Sequence, residues 1–289
     1  MRALAVAALA TVAVGVGALP AHAAFPGTPG RIAFVQGDVG AVTPHGIATA
    51  TPDGTDQRLV GPTCQEGKPD PCPANPTWSR DGSSIAFDIG GQIGTVRGDG
   101  TDPKTFTAPG LIGLSRPAWD VSGANLVFQA VNAAGRRNLY IFPADGNSYR
   151  QLTFAGGAEP TWSLDGRIAF VRNNNIYVID ADGKNLRRLT GKGGSQPNWS
   201  PHASQITFVR SGNVHRVHSD GTGLRRLTGK RGYEPAWAPD GKRILFHRNA
   251  SGNRMIYSVN LDAADLRLVT RGEEGRIVNV FSVDQSPLG

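Results

Sequence analysis

Five short apolar runs recur along the chain: Ile85-Ala86-Phe87, Leu126-Val127-Phe128, Ile168-Ala169-Phe170, Ile206-Thr207-Phe208 and Ile244-Leu245-Phe246. Most follow a polar turn such as "SRDG", "SLDG" or "APDG". They are apolar at successive positions, where a half-exposed strand would alternate, so the pattern predicts strands covered on both faces. A Gly- or Asn-containing turn comes next, then another strand, as in "LYIFP" from Leu139, "IYVID" from Ile176 and "IYSVN" from Ile256. An Asp-Gly or Asp-Ala turn and an "LRRLT"-like strand close each unit. Glycine in those turns supplies the positive φ of a tight hairpin. A single Asp per turn lacks the converging oxygens that calcium requires.

The strand before each apolar run carries a tryptophan. Trp78, Trp119, Trp162, Trp199 and Trp237 are all the tryptophans of the chain, and each stands in the frame Pro-x-Trp. Their spacings of 41, 43, 37 and 38 residues give a repeat of four antiparallel strands, the period of a β-propeller blade. Near the N-terminus "GRIAFV", "GIATATPDG" and "QRLVG" supply three strands with no tryptophan strand before them. Near the C-terminus "NVFSVDQ" from Asn279 matches the tryptophan strand, with Phe281 in the tryptophan position. Joining the two fragments predicts an all-β fold of six blades over residues 24–289, closed by pairing "NVFSVD" with "RIAFV" so that no open edge remains.

The pattern P-x-W-S-x-D-G-x-x-I-A-F, followed by I-Y-x-x-D-x-D-G-x-x-x-R-x-L-T, resembles the WD-like repeat of the TolB-type six-bladed propeller. The resemblance implies a periplasmic protein with protein partners in the cell envelope. It also implies an additional N-terminal α/β domain, for which this sequence offers no counterpart.

Residues 1–23 change the picture of location. Arg2, the apolar stretch Ala3 to Leu19 and Ala21-His22-Ala23 have the layout of a cleaved secretory signal without a lipid-anchor cysteine, which predicts a secreted or periplasmic chain starting at Ala24. The formal charge of +7 falls by one on cleavage, since Arg2 is the only charge removed. Cys64 and Cys72, the only cysteines, lie in "CQEGKPDPC", and in an exported chain they read as a local disulfide that pins a loop.

No Gly-x-Ser-x-Gly elbow and no Ser-x-Asp-x-Gly-x-Thr-Trp box is present. His215 and His218 are three apart on a strand and point to opposite faces, so they do not form a metal pair. His215 stands where Tyr140, Tyr177 and Tyr257 stand in other repeats. The cluster Arg187, Arg188, Lys192, Arg225, Arg226, Lys230 and Arg231 falls on or just after the outermost strands, where charge blunts an exposed edge. Nucleic acid is therefore not expected as a partner, nor is any cofactor or metal. The expectation is a monomeric, non-enzymatic binding or scaffold protein for an envelope or extracellular protein, or for a polar or anionic ligand. A propeller enzyme, hydrolase or lyase, acting on extracellular carbohydrate is the alternative. The residues preceding each Pro-x-Trp frame, Asn75, Arg116, Glu159, Gln196 and Glu234, are expected to ring the channel mouth. Arg172, Arg210 and Arg248, two residues past the Phe of each apolar run, are expected on the same face as anion ligands.

Overall fold

The computed structural model describes residues 28–36, 45–50, 56, 58–64, 71–146, 148–238, 241–250, 253–271 and 285–288. The expected signal at residues 1–23 lies outside them. The fold is an all-β propeller built from four-stranded antiparallel blades. Five blades succeed one another in chain order, over residues 74–106, 111–151, 158–188, 195–226 and 233–271, and are numbered here 1 to 5. Their second strands, Ser84–Ile89, Asn125–Asn132, Arg167–Arg172, Gln205–Arg210 and Arg243–Ala250, contain the five apolar runs.

A further sheet joins the two ends of the chain. Its order places Gln285–Leu288 beside Thr28–Gln36, followed by His45–Ala50 and Arg58–Cys64. Thr28 faces Leu288, Pro29 faces Pro287 and Ile32 faces Gln285. The pairing strand thus lies C-terminal to the segment picked out by sequence, and residues 279–284 fall outside the described residues.

The apolar side chains meet between blades. Phe106 of blade 1 packs with Phe128, Tyr140 and Phe142 of blade 2, and Ile141 and Leu152 of blade 2 with Ile168 and Phe170 of blade 3. Trp78 and Phe87 of blade 1 pack with Ala33, Ile47 and Val60 of the end sheet. Blades 1 to 4 each have an apolar face toward both neighbours, which explains the unbroken apolar runs. Indole N–H groups add to the seams: Trp119 donates to the Thr77 carbonyl (3.2 Å) and Trp237 to that of Asn198 (3.2 Å), each one blade back.

The repeated polar residues close the hairpins. Ser79 Oγ donates to Asp81 (2.6 Å) and accepts the Ser84 N–H (3.0 Å), and Ser163 does the same with Asp165 and Arg167. Gly183 in the next turn adopts φ +89°, a conformation that L side chains rarely take. The outer strands of blades 2 to 4 are shorter than "LRRLT" suggests, with only two residues each. The threonine explains this: Thr153, Thr190 and Thr228 hydroxyls accept the N–H groups of Leu139, Ile176 and Val214 (2.9, 2.9 and 3.0 Å), replacing a ladder carbonyl.

The Cys64–Cys72 disulfide is formed. It ties the outer strand of the end sheet to the segment just before the inner strand of blade 1. Among the described residues no helix is long and apolar enough to cross a membrane.

Candidate functional site

The inner strand of each blade begins with the same irregularity. Proline has no N–H to give to the ladder, and the register shifts across the residue-proline pair in all five blades. The residue before proline takes a left-handed backbone: Asn75, Arg116, Glu159, Gln196 and Glu234 all have φ between +50° and +52°. Five non-glycine residues in that region at matched positions indicate a constraint held by the surrounding structure.

That constraint is a hydrogen-bonded belt running from blade to blade. Glu159 accepts the Gln196 N–H (2.6 Å), and Gln196 accepts the Glu234 N–H (2.9 Å). Asn75 and Arg116 do not act as acceptors, and there the second strand substitutes. Asp88 accepts both Asn75 Nδ2 (2.7 Å) and the Arg116 N–H (3.0 Å), and Gln129 accepts the Glu159 N–H (2.8 Å). The positions equivalent to Asp88 and Gln129 are Val171 in blade 3 and Val209 in blade 4, where the belt residue itself is the acceptor. Blade 5 has His247 there, with its Nδ1 3.1 Å from Glu234 Oε2. Burial raises the Asp88 carboxyl above its ordinary pKa, against the hydrogen bonds from Asn75 and the Arg116 N–H.

All five belt residues line a central channel enclosing about 170 Å³. Inner-strand residues including Trp78, Trp119, Trp162 and Trp199, and turn residues beyond them such as Arg80 and Asp120, complete its wall. No described residue accepts a hydrogen bond from the Arg116 guanidinium, so this cation stands in the channel wall with its donors available. The structure therefore brings together the five residues expected at the mouth, and it gives the belt a structural task that sequence reasoning missed.

The three other arginines are placed differently from expectation. None lines the channel. The guanidinium of Arg172 lies over Tyr177 (5.5 Å), that of Arg210 over Phe208 (5.2 Å) and that of Arg248 over Tyr257 (4.7 Å). Arg210 Nε also donates to the Gly193 carbonyl (3.0 Å) and Arg248 Nε to that of Arg231 (2.9 Å), in the loops leading into their own blades. The reason is parity. A residue two beyond the buried Phe lies on the same sheet face as that Phe and its cross-strand aromatic. These arginines mark the loops around the mouth and not its lumen.

The outer-strand arginines also have partners that sequence did not reveal. Arg150, Arg187 and Arg225 donate to carbonyls of Ala181, Ser219 and Asp262, in the base turn of the following blade. Arg188 and Arg226 remain exposed. His215 stacks on Phe208 (5.6 Å) and burial lowers its pKa, while His218 is exposed. Among the described residues no group of three or more His, Cys, Asp or Glu side chains converges to hold a metal ion.

No protein-family model matches the sequence, and no curated protein matches it. Solved structures do match. TolB from Acinetobacter baumannii superposes with a TM-score of 0.70 at 21% identity, over 85% of this chain and 64% of that one. A TolB-like protein from Agrobacterium tumefaciens gives 0.65 at 19% identity, over 85% and 90% of the two chains. An oligogalacturonate lyase in complex with manganese gives 0.61 at 12% identity, over 79% and 71%. At these identities the likeness establishes the shared propeller fold.

Proposed function

We propose that the chain is an exported binding or scaffold propeller that holds a protein or a polar, anionic ligand of the cell envelope or extracellular space at its channel mouth. The observation that carries this reading is the Arg116 guanidinium, presented in the channel wall within the belt, where Asp88 and Glu159 already accept backbone N–H groups. A cation in a narrow lumen of mixed polar and apolar lining suits a carboxylate or phosphate bound through two parallel N–H donors. In this reading the end sheet is the sixth blade, the termini close the ring, and the protein acts as a monomer. Export is supported by the disulfide together with the signal-like residues 1–23.

The test is capture of partners from the envelope fraction of the producing cells with the mature protein, Arg116→Ala, and the triple variant Arg172→Ala, Arg210→Ala, Arg248→Ala. Loss of the same partners in both variants supports the mouth as the binding surface. Equal recovery by all three proteins overturns it. A second reading, a lyase or hydrolase of acidic polysaccharide, draws on the fold shared with an oligogalacturonate lyase. Turnover of polygalacturonate, with or without manganese, that disappears in Arg116→Ala would favour it.

A further inference from the structure

Among the described residues the two ends of the propeller differ in charge. Antiparallel strands put the Asp-Gly turns at the base, and the turns between second and third strands, with the loops between blades, at the mouth. Among the described residues the acids at the mouth end are Asp88, Glu159 and Glu234, and each is engaged within the belt or by His247. The other described acids lie at the base end. The mouth instead carries Arg136, Arg137, Arg172, Lys192, Lys230 and Arg231 on its turns and loops.

The same end bears the two most exposed large apolar side chains among the described residues, Ile112 (70%) and Phe154 (72%). They flank one hairpin tip. Ile112 and Arg137 are both cross-strand partners of Val131. The loop after Phe154 docks on the same tip, with the Gly157 N–H donating to the Arg137 carbonyl (3.2 Å), and Gly156 lies against the stem of Arg172. Arg136 and Arg137 are exposed on that tip. Two protruding apolar side chains beside cations that have no acidic neighbour on that tip among the described residues combine the two elements of peripheral membrane docking, apolar insertion at the headgroup boundary and attraction to anionic lipid.

We propose that the mouth face docks on an anionic lipid surface, with Ile112 and Phe154 inserting between headgroups and Arg136 and Arg137 over their phosphates. This rests on the reading of the mouth as the working face, and it means that a partner is met at a membrane surface. A soluble polyanion would use the cations but leave the two apolar side chains in water, so the apolar pair decides for lipid.

The experiment is co-sedimentation of the mature protein with vesicles of phosphatidylcholine alone or containing about one third phosphatidylglycerol. Binding is expected to the anionic vesicles only and to weaken at high salt. Ile112→Ser with Phe154→Ser is expected to weaken it about tenfold, as is Arg136→Ser with Arg137→Ser. The base-face pair Leu224→Ser with Leu186→Ser should bind like the parent. All these positions are exposed, and unchanged melting of each variant confirms the fold. Absence of binding at low salt, or binding that ignores the Ile112 and Phe154 substitutions, overturns the proposal. Polyglutamate binding that depends on the arginines, without vesicle binding, would also overturn it and favour a soluble acidic partner. Because this test leaves Arg116, Arg210 and Arg248 untouched, its failure with intact partner capture removes lipid docking alone.

Discussion

Replacing Glu159 tests whether the belt holds the blades together. Glu159→Ala removes the acceptor of the Gln196 N–H at 2.6 Å while keeping a side chain in the left-handed conformation. Loss of a hydrogen bond to a charged acceptor costs about 1.5–3 kcal/mol. Glu159→Gly loses the same bond but relieves left-handed strain of about 1–2 kcal/mol, offset in part by the greater freedom of glycine in the unfolded chain, about 0.5–1 kcal/mol. The glycine variant should therefore be the more stable of the two by about 0.5–1 kcal/mol. Blade 2 shows how to restore the bond. Its acceptor is Gln129, whose Nε2 is anchored on Ser115 Oγ (3.0 Å), and the matching residues in blade 3 are Val171 and Ala158. Adding Val171→Gln and Ala158→Ser to Glu159→Ala should recover most of the loss. Urea unfolding followed by tryptophan fluorescence measures all four proteins, with unchanged slope required for comparison. If the alanine and glycine variants lose equally and the triple variant recovers nothing, the belt does not carry the inter-blade coupling assigned to it.

Further expectations concern titration and the disulfide. Asp88→Asn keeps an oxygen for both Asn75 and the Arg116 N–H, so stability at neutral pH should hold or rise. The parent, whose raised Asp88 pKa means that the folded state holds the proton more tightly, should lose stability as pH rises through that pKa, and the variant should not. His215 has the opposite sign: its lowered pKa makes the unfolded state bind the proton first, so stability falls as pH drops below the ordinary histidine range. His215→Tyr, the residue of the matching positions, should flatten that slope in melting curves. Reducing Cys64–Cys72 should destabilise by about 2.5 kcal/mol on the loop-entropy account. A chain that melts identically in reductant would show that the bridge adds nothing to the join between end sheet and blade 1.

The blades were legible because their signals are local. Pro-x-Trp, the Ser-x-Asp-Gly turn and the apolar run lie within one hairpin, and the structure uses Ser79, Asp81 and Gly82 as such turns require. The belt positions were legible by alignment alone, since each precedes the proline that breaks the ladder. The acceptors were not. Asp88 and Gln129 reach residues 28 and 30 positions away, across a blade boundary that no local pattern marks. A signal existed, however: polar residues replace valine on the second strand in the two blades whose belt residue is Asn75 or Arg116. The placement of Arg172, Arg210 and Arg248 could also have been corrected from strand parity, which puts them over the aromatics of their own blades.

The most direct test of the mouth as the working face is hydrogen exchange of the mature protein with and without the partner recovered by capture. Slowed exchange is expected in the mouth segments 107–113, 154–157, 191–194 and 229–232, with the base turns around Asp99, Asp182 and Asp220 unchanged. Protection confined to the base turns, with the mouth segments exchanging as in the free protein, would contradict this reading of the mouth.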